Sequence, residues 1–410
     1  MTVLPRGTLV LAVGIVALEF AAAVTSFVAS TLLPVVADDL DAGDRLGLLI
    51  AGSTLGLFVA LPLASRVLGR LGTRGTLAAG MVAYVGGLVG AAGARSAWMF
   101  ALGQLSTGLA SGLLAVFGVS SAIRHLDERV RLRVVAASSA MWIVPALVGP
   151  AATLGLEHLV GWRWTLLVPV PFVLFGRLLV VRAVRDDPPA DAAPRPLGRT
   201  LLVPLGAAGV VLSAGWWPLA IAGAGVAAAG MVAILPAGTA RLRPGTPAAL
   251  AAMVLFAVGY FGADSLITVL LTTGFGVSLG QAAIVLGAAP LAWAVTSLSG
   301  RRLPATGLSL TALGTAVLAV GGPFFVLLAA WTVAGIGVGL AYPGLYVRAT
   351  TAGSSGFTAT ELATAVITAE CVGQLLGRAI GGTLSSAGGL FAAYGVFAVA
   401  LAAAAVVSRR

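Results

Sequence analysis

Charge is scarce in this sequence. Only 9% of its 410 residues are charged against 59% hydrophobic, too few to cover the surface of a soluble domain of that length. The solvent for most of the surface is therefore lipid. Cysteine occurs once, at Cys371 inside an apolar run, which excludes a disulfide or a cysteine-based metal site within one chain. Lysine is absent, so every basic side chain is an arginine. The net charge of +10 is spread over short loops and forms no dense patch, which argues against a nucleic-acid partner. There is no P-loop and no clustered set of His, Asp, Ser or metal ligands, so neither ATP-driven transport nor an enzyme is expected, and no cofactor or metal. The apolar runs Leu48–Leu63 and Leu390–Val407 do not alternate with polar residues, which excludes a β-barrel.

What is present is a succession of apolar segments long enough for helices across a hydrocarbon core about 30 Å thick. Spans are expected at 8–34, 47–66, 76–94, 98–122, 134–156, 164–181, 200–214, 217–236, 248–272, 279–299, 303–321, 324–346, 357–384 and 387–407, fourteen in all. With the amino terminus in the cytoplasm, only Arg45, Arg95 and Arg163 of the loop arginines fall outside, as the positive-inside rule requires. Both termini are then cytoplasmic. The segment 200–236, with Gly215-Trp216-Trp217-Pro218 at its centre, has arginines on both flanks and fits a tight hairpin. The Pro-rich stretch 183–198 before it is the best candidate linker. Domains are therefore expected at 1–185 and 246–410, each a six-helix bundle, with the linker and inserted hairpin at 186–245.

Ionisable groups inside spans are costly, about 2.5–3.5 kcal/mol each at the helix centre. Glu19 lies near the middle of the first span, roughly 16 Å from its start at 1.5 Å per residue. Asp264 sits in the ninth span, and Glu370, Gln374 and Arg378 follow at intervals of four on one face of the thirteenth. An ion network with Arg378 neutralising one acid would account for part of this stripe. Three acids against one base leave carboxylate in excess, in surroundings that suit reversible protonation or a visiting cation. Trp142, Trp293, Trp331, Tyr260, Tyr342 and Tyr346 could stack on an aromatic substrate, although such residues near span ends also serve as interfacial anchors.

Four stretches stand in order along the first six spans: Ala29-Ser30-Thr31-Leu32-Leu33-Pro34 at the outer end of span one, Leu68-Gly69-Arg70-Leu71-Gly72-Thr73-Arg74, preceded by Arg66, between spans two and three, Pro145-Ala-Leu-Val-Gly149-Pro150 in span five, and Gly161-Trp162-Arg163-Trp164 at the start of span six. In this order they resemble the major facilitator superfamily, and specifically its fourteen-span drug:proton antiporter branch. The first is similar to the end of that branch's opening helix, the second to the superfamily's signature loop, the third to the antiporter motif and the fourth to the entry to span six. Gly259-Tyr260-Phe261-Gly262-Ala263-Asp264-Ser265 looks like an actinobacterial subgroup of multidrug and lipid exporters. Two departures stand out. Gly69 replaces the acidic residue usual in the signature loop, and Gln104 replaces the span-four arginine that the branch uses in proton handling.

The resemblance implies two six-helix bundles rocking about a midplane cavity, with Glu19, Asp264 and Glu370 as proton or substrate sites supported by Gln374, Arg378 and Gln104. It implies conformational roles for Arg66, Arg70, Gly72, Arg74, Pro145, Gly149 and Pro150. The expected protein is a monomeric transporter of a bacterial inner membrane that exchanges protons for small amphipathic compounds, in contact with membrane lipid. A lipid flippase and a proton-coupled uptake symporter remain open alternatives.

Overall fold

A computed structural model describes residues 6–42, 46–183, 197–213, 216–352, 357–386 and 389–410. Every regular element among them is helical: α1 (Arg6–Asp39), α2 (Leu46–Ala92), α3 (Ala97–His125), α4 (Glu128–Ala140), α5 (Ile143–Val160), α6 (Trp162–Thr165), α7 (Pro169–Ala183), α8 (Leu197–Thr200), α9 (Leu202–Val211), α10 (Trp217–Ile234), α11 (Thr246–Val269), α12 (Leu279–Ser297), α13 (Pro304–Val320), α14 (Phe324–Ala349), α15 (Ala359–Ser386) and α16 (Leu390–Val407). A single π-helical turn, Leu270–Gly274, ends α11. Within these residues, eleven helical segments are long and apolar enough to cross a membrane. Gly198–Val211 and Pro304–Val320 are apolar but shorter, and α15 carries the polar stripe Glu370, Gln374 and Arg378. Val82, Leu159, Val320 and Phe325 are largely exposed, as side chains facing lipid would be.

The chain divides into two units. The first comprises Met1–Val134, Met141–Pro204 and Thr358–Thr364, and the second Val135–Ala140, Leu205–Phe357 and Ala365–Arg410. In lipid, helices gain nothing by hiding apolar side chains from water, so they associate through close contact, and small residues permit it. α3 shows how the first unit is built. It lies between the two arms of α2, with Gly108 and Gly112 against Ser53, Leu57 and Ala60 on one arm and Gly103 against Ala91 on the other. A Cβ at Gly108 would overlap the Ser53 carbonyl, and one at Gly56 the Leu105 carbonyl. The second unit repeats the device with α14, which presents Gly335 to Ala289 and Gly339 to Thr296 of α12, and Gly337 to Thr311 of α13.

α2 can double back because of one residue. Gly72 has φ 62° and ψ −176°, a conformation essentially restricted to glycine, and it breaks the helix into arms ending and starting at Leu71 and Thr73. The Thr76 hydroxyl reaches back across the break to the Val67 carbonyl at 3.4 Å. On the opposite side of the first unit, Arg163 gathers the helix ends: it donates to Asp39 at 2.9 Å and to the Ala94 carbonyl at 3.3 Å, with its guanidinium 4.4 Å from the Trp162 ring. In the second unit α9 and α10 pack antiparallel, Gly206 against Ala227 and Gly209 against Gly223. Helix starts follow local chemistry, with Ser96 capping α3, a Ser278/Gln281 capping box on α12 and a Thr358/Glu361 pair before α15. Arg45, Arg185, Arg195 and Gly215 lie outside the described residues, as does most of the expected linker.

The glycine notch on α3 is testable against an internal control. Gly108→Val should abolish most folded, monodisperse protein in a fluorescence size-exclusion assay. Gly118→Val, on the same helix with open space at its Cβ, should leave the elution profile close to that of the parent.

Candidate functional site

In the first unit the site is built where α5 meets α1. Glu19 is half-buried on α1 and lies beside the side chain of Trp142, the residue that precedes α5. The Trp142 ring meets Phe27 edge-on at 6.3 Å, and Gly149 sits over Phe27, where a Cβ would stand 3.2 Å from that residue's own Cβ. Pro145 is buried at the same surface. Thus the stretch Trp142–Gly149 packs on the first helix beside its acid. The side chain of Pro150 lies outside the described residues. Six residues after Glu19, Thr25 shares a 2.6 Å hydrogen bond with the buried Tyr84 of α2.

Gln104 takes a different position. It is only 5% exposed, its Cβ wedged against Gly52 in the seam between α3 and the first arm of α2. Of the signature-loop residues, Gly72 forms the helix break, Arg70 and Arg74 are exposed beside it and Arg66 is half-buried.

A fifth intramembrane charge is hidden by the sequence pattern. Arg177 of α7 is 2% exposed and one Nη donates to the Leu77 carbonyl, on the second arm of α2 just beyond the Gly72 break. Its other Nη is buried without a hydrogen-bond partner among the described residues. In the sequence it stands five positions before Arg182 and passes for a flanking charge; an arginine followed by the apolar run Leu178–Val181 was the available signal.

The second unit brings together Asp264, Glu370, Gln374 and Arg378. Asp264, Glu370 and Gln374 are half-buried, and Arg378 is exposed. Arg378 acts electrostatically on Asp264 and on Cys371, which also feels Glu370. The Tyr342 hydroxyl of α14 donates to Glu370 Oε1 at 2.6 Å, and the Tyr394 hydroxyl of α16 donates to the Ala263 carbonyl at 2.7 Å beside Asp264. Tyr342 belongs to an aromatic block. Phe256, Tyr260 and Trp331 form a parallel stack with ring centroids 5.7 and 5.5 Å apart, while Trp293 meets Tyr260 edge-on at 5.7 Å and Tyr342 at 5.2 Å. The acid is therefore mounted on the rim of a flat, apolar wall.

Comparison with known proteins agrees with this architecture. A family description named the Major Facilitator Superfamily matches residues 15–346. A probable multidrug-efflux transporter of Mycobacterium tuberculosis is 29% identical over 96% of this chain and 92% of its own length. Among solved structures, the human organic anion transporter MFSD10 superposes with a TM-score of 0.75 over 98% of this chain and 100% of its own, at 14% identity. The fucose:proton symporter of Escherichia coli gives 0.69 over 98% and 99%, at 16% identity.

The incomplete bonding of Arg177 yields a prediction. A buried guanidinium with one backbone acceptor adds little to the stability of the state in which it is found. Arg177→Met should keep the thermal midpoint of purified protein within a few degrees while transport falls severalfold. A large drop in the midpoint would show instead that the arginine simply holds the unit together.

Proposed function

The chain belongs to the Major Facilitator Superfamily, a family of transporters, and from that premise we propose that it exports small amphipathic or hydrophobic compounds in exchange for protons. It is a multi-pass membrane protein of many apolar helices. In the proposed topology the eleven apolar segments are joined as spans by the α8–α9 segment, α13 and α15, which makes fourteen, with both termini in the cytoplasm of a bacterium. The bundles would run over 1–185 and 246–410, and α9 with α10 would form the inserted hairpin.

The observation that carries this reading is Glu370, a carboxylate placed by the Tyr342 hydroxyl at the rim of an aromatic wall inside a membrane domain. The wall offers flat apolar surface to an amphipathic molecule, and the acid offers a place for a proton or a positive headgroup. Glu19, half-buried beside Trp142, is the corresponding acid of the first unit. Export against a gradient needs two states of opposite access, and proton and substrate must bind them unequally. Asp264, Glu370 and Glu19 are the groups whose charge a proton would change. Gln374 and Arg378 share the helix face of Glu370, and Gln104 stands where a charge would otherwise be. Gly72 with Arg66, Arg70 and Arg74 on one side, and Pro145, Gly149 and Pro150 on the other, would serve the change of state. The kinship with a probable multidrug-efflux transporter supports the same direction of transport.

The test is ethidium uptake into everted membrane vesicles, driven by an imposed proton gradient. Glu19→Gln, Asp264→Asn and Glu370→Gln should each lower gradient-driven uptake about tenfold or more, and at least one should retain ethidium exchange when no gradient is applied. Undiminished driven uptake in all three variants would remove the proposed coupling groups.

A further inference from the structure

Between α10 and α11 the chain folds a tight turn that displays two arginines. Leu242, which separates Arg241 from Arg243, has φ 52°, a left-handed conformation that strains a residue with a side chain and persists where its surroundings impose it. Here the Arg241 and Arg243 amides both donate to the Gly238 carbonyl, each at 3.1 Å. The stem of Arg243 lies over Gly238, where a Cβ would stand 2.7 Å from the arginine Cδ. Arg241 and Arg243 are themselves exposed, so the turn presents both on its outside.

Other arginines are drawn to the same place. The Gly245 amide donates to the Arg410 carbonyl at 3.0 Å, which sets the residues that follow α16 against the turn. Arg348, half-buried in the last turn of α14, donates through one Nη to the Ser408 carbonyl, and the Thr246 hydroxyl donates to the Thr351 carbonyl at 2.6 Å. A closed set of bonds thus joins the α10–α11 turn, the end of α14 and the segment Ser408–Arg410. Arg409 and Arg410 are exposed beside Arg241 and Arg243 at this junction. The sequence of the second unit contains only two acidic residues, Asp264 and Glu370, and both lie well inside helices.

The positive-inside rule explains why arginines stand at this end of the unit, but it asks only for their number in the loops. It calls neither for a strained turn nor for arginines of three separate stretches fastened together, where their like charges repel. Cations crowded and fixed in this way are the complement of an anion. α11 begins at Thr246 and α16 ends at Val407, so the arginines stand within a few residues of apolar helices, at the level of lipid headgroups. We propose that this junction binds the phosphate of an anionic phospholipid in the adjoining leaflet, with Arg243 and Arg410 as its main contacts and Arg241 and Arg409 beside them. Guanidinium suits the task, because its forked donors match phosphate oxygens, and each arginine near an anionic lipid surface adds to the attraction. The bound headgroup offsets the mutual repulsion of the arginines and so steadies the junction of the three stretches. None of the groups assigned to transport takes part, and the inference holds whatever the direction or coupling of transport.

The test titrates purified full-length protein in detergent with dioleoylphosphatidylglycerol or dioleoylphosphatidylcholine, which share their acyl chains, and reads the thermal midpoint. The anionic lipid should raise the midpoint well above the effect of the zwitterionic one, and its apparent affinity should fall about tenfold in Arg243→Gln/Arg410→Gln. Arg241→Gln/Arg409→Gln should weaken it in the same direction, and this pair keeps the test decisive if the first folds poorly. Arg129→Gln/Arg133→Gln removes the same charge from exposed positions of α4 and should leave the affinity close to that of the parent. Equal effects of the two lipids, undiminished affinity in the folded junction variants, or an equal loss in the α4 pair would each overturn the proposal. So would an equal midpoint rise with glycerol 3-phosphate at the same concentration, since the junction would then recognise a soluble phosphate and not a lipid.

Discussion

In a hydrocarbon solvent, helices must be held by how closely they approach, and this requirement shapes both units of the protein. α3 and α14 are the clearest products of it. Each is a glycine-notched helix set between two others, at Gly103, Gly108 and Gly112 in one case and at Gly335, Gly337 and Gly339 in the other. Backbone meets backbone at these notches, so dispersion contacts accumulate over the whole length of each seam. Other helices pair by the same device. α1 docks on α7 through Gly14 and Gly176, and α11 docks on α16 through Gly259 and Gly262.

Polar groups are placed where that packing leaves them a partner. Most threonines and serines inside the helices return their hydroxyls to their own backbone, as Thr107 does to Gly103 and Thr311 to Gly307. The ionisable groups differ, since none of them can be satisfied by its own turn of helix. Glu370 takes a donor from α14, and Arg177 reaches the α2 backbone. Each such bond ties two helices at a point that can be changed by a proton, a ligand or a shift of either helix. The functional candidates are therefore the inter-helix polar bonds, against a background of hydroxyls that bond locally.

Much of this was legible in the sequence, and the limits have physical causes. Composition alone requires a lipid solvent, and the spacing Glu370, Gln374, Arg378 places those residues on one helix face whatever their surroundings. Gly72 can be recognised from its motif, and its left-handed backbone explains why glycine stands there. The bond between Glu370 and Tyr342 could not be foreseen, because it joins residues of different helices and depends on the register of α14 against α15. Arg177 was obscured by its nearness to Arg182, a position from which an arginine can ordinarily extend to the membrane surface; burial against Leu77 is a property of the packed unit. The length of α13 and the polarity of α15 are plain in the sequence, yet neither reaches the length and hydropathy of an ordinary span. Helices buried by their neighbours can be shorter or more polar than helices that face lipid.

The same packing limits what can move. Where carbonyls stand against glycine Cα atoms, sliding one helix past another would drive a backbone oxygen into the next side chain, so the α2–α3 and α12–α14 seams resist small adjustments. The less tightly notched parts of the chain include the break at Gly72 and the π turn that ends α11 at Leu270–Gly274. π turns add a residue to a helix and relieve it of a regular bonding ladder, which makes them natural pivots. α11 carries Tyr260 and Asp264 one to three turns before that pivot, while its glycines hold it to α16. A helix fixed on one face and loosened at its end can transmit a change at its polar residues without repacking its seam, which is what coupling between a bound ligand and a moving backbone demands.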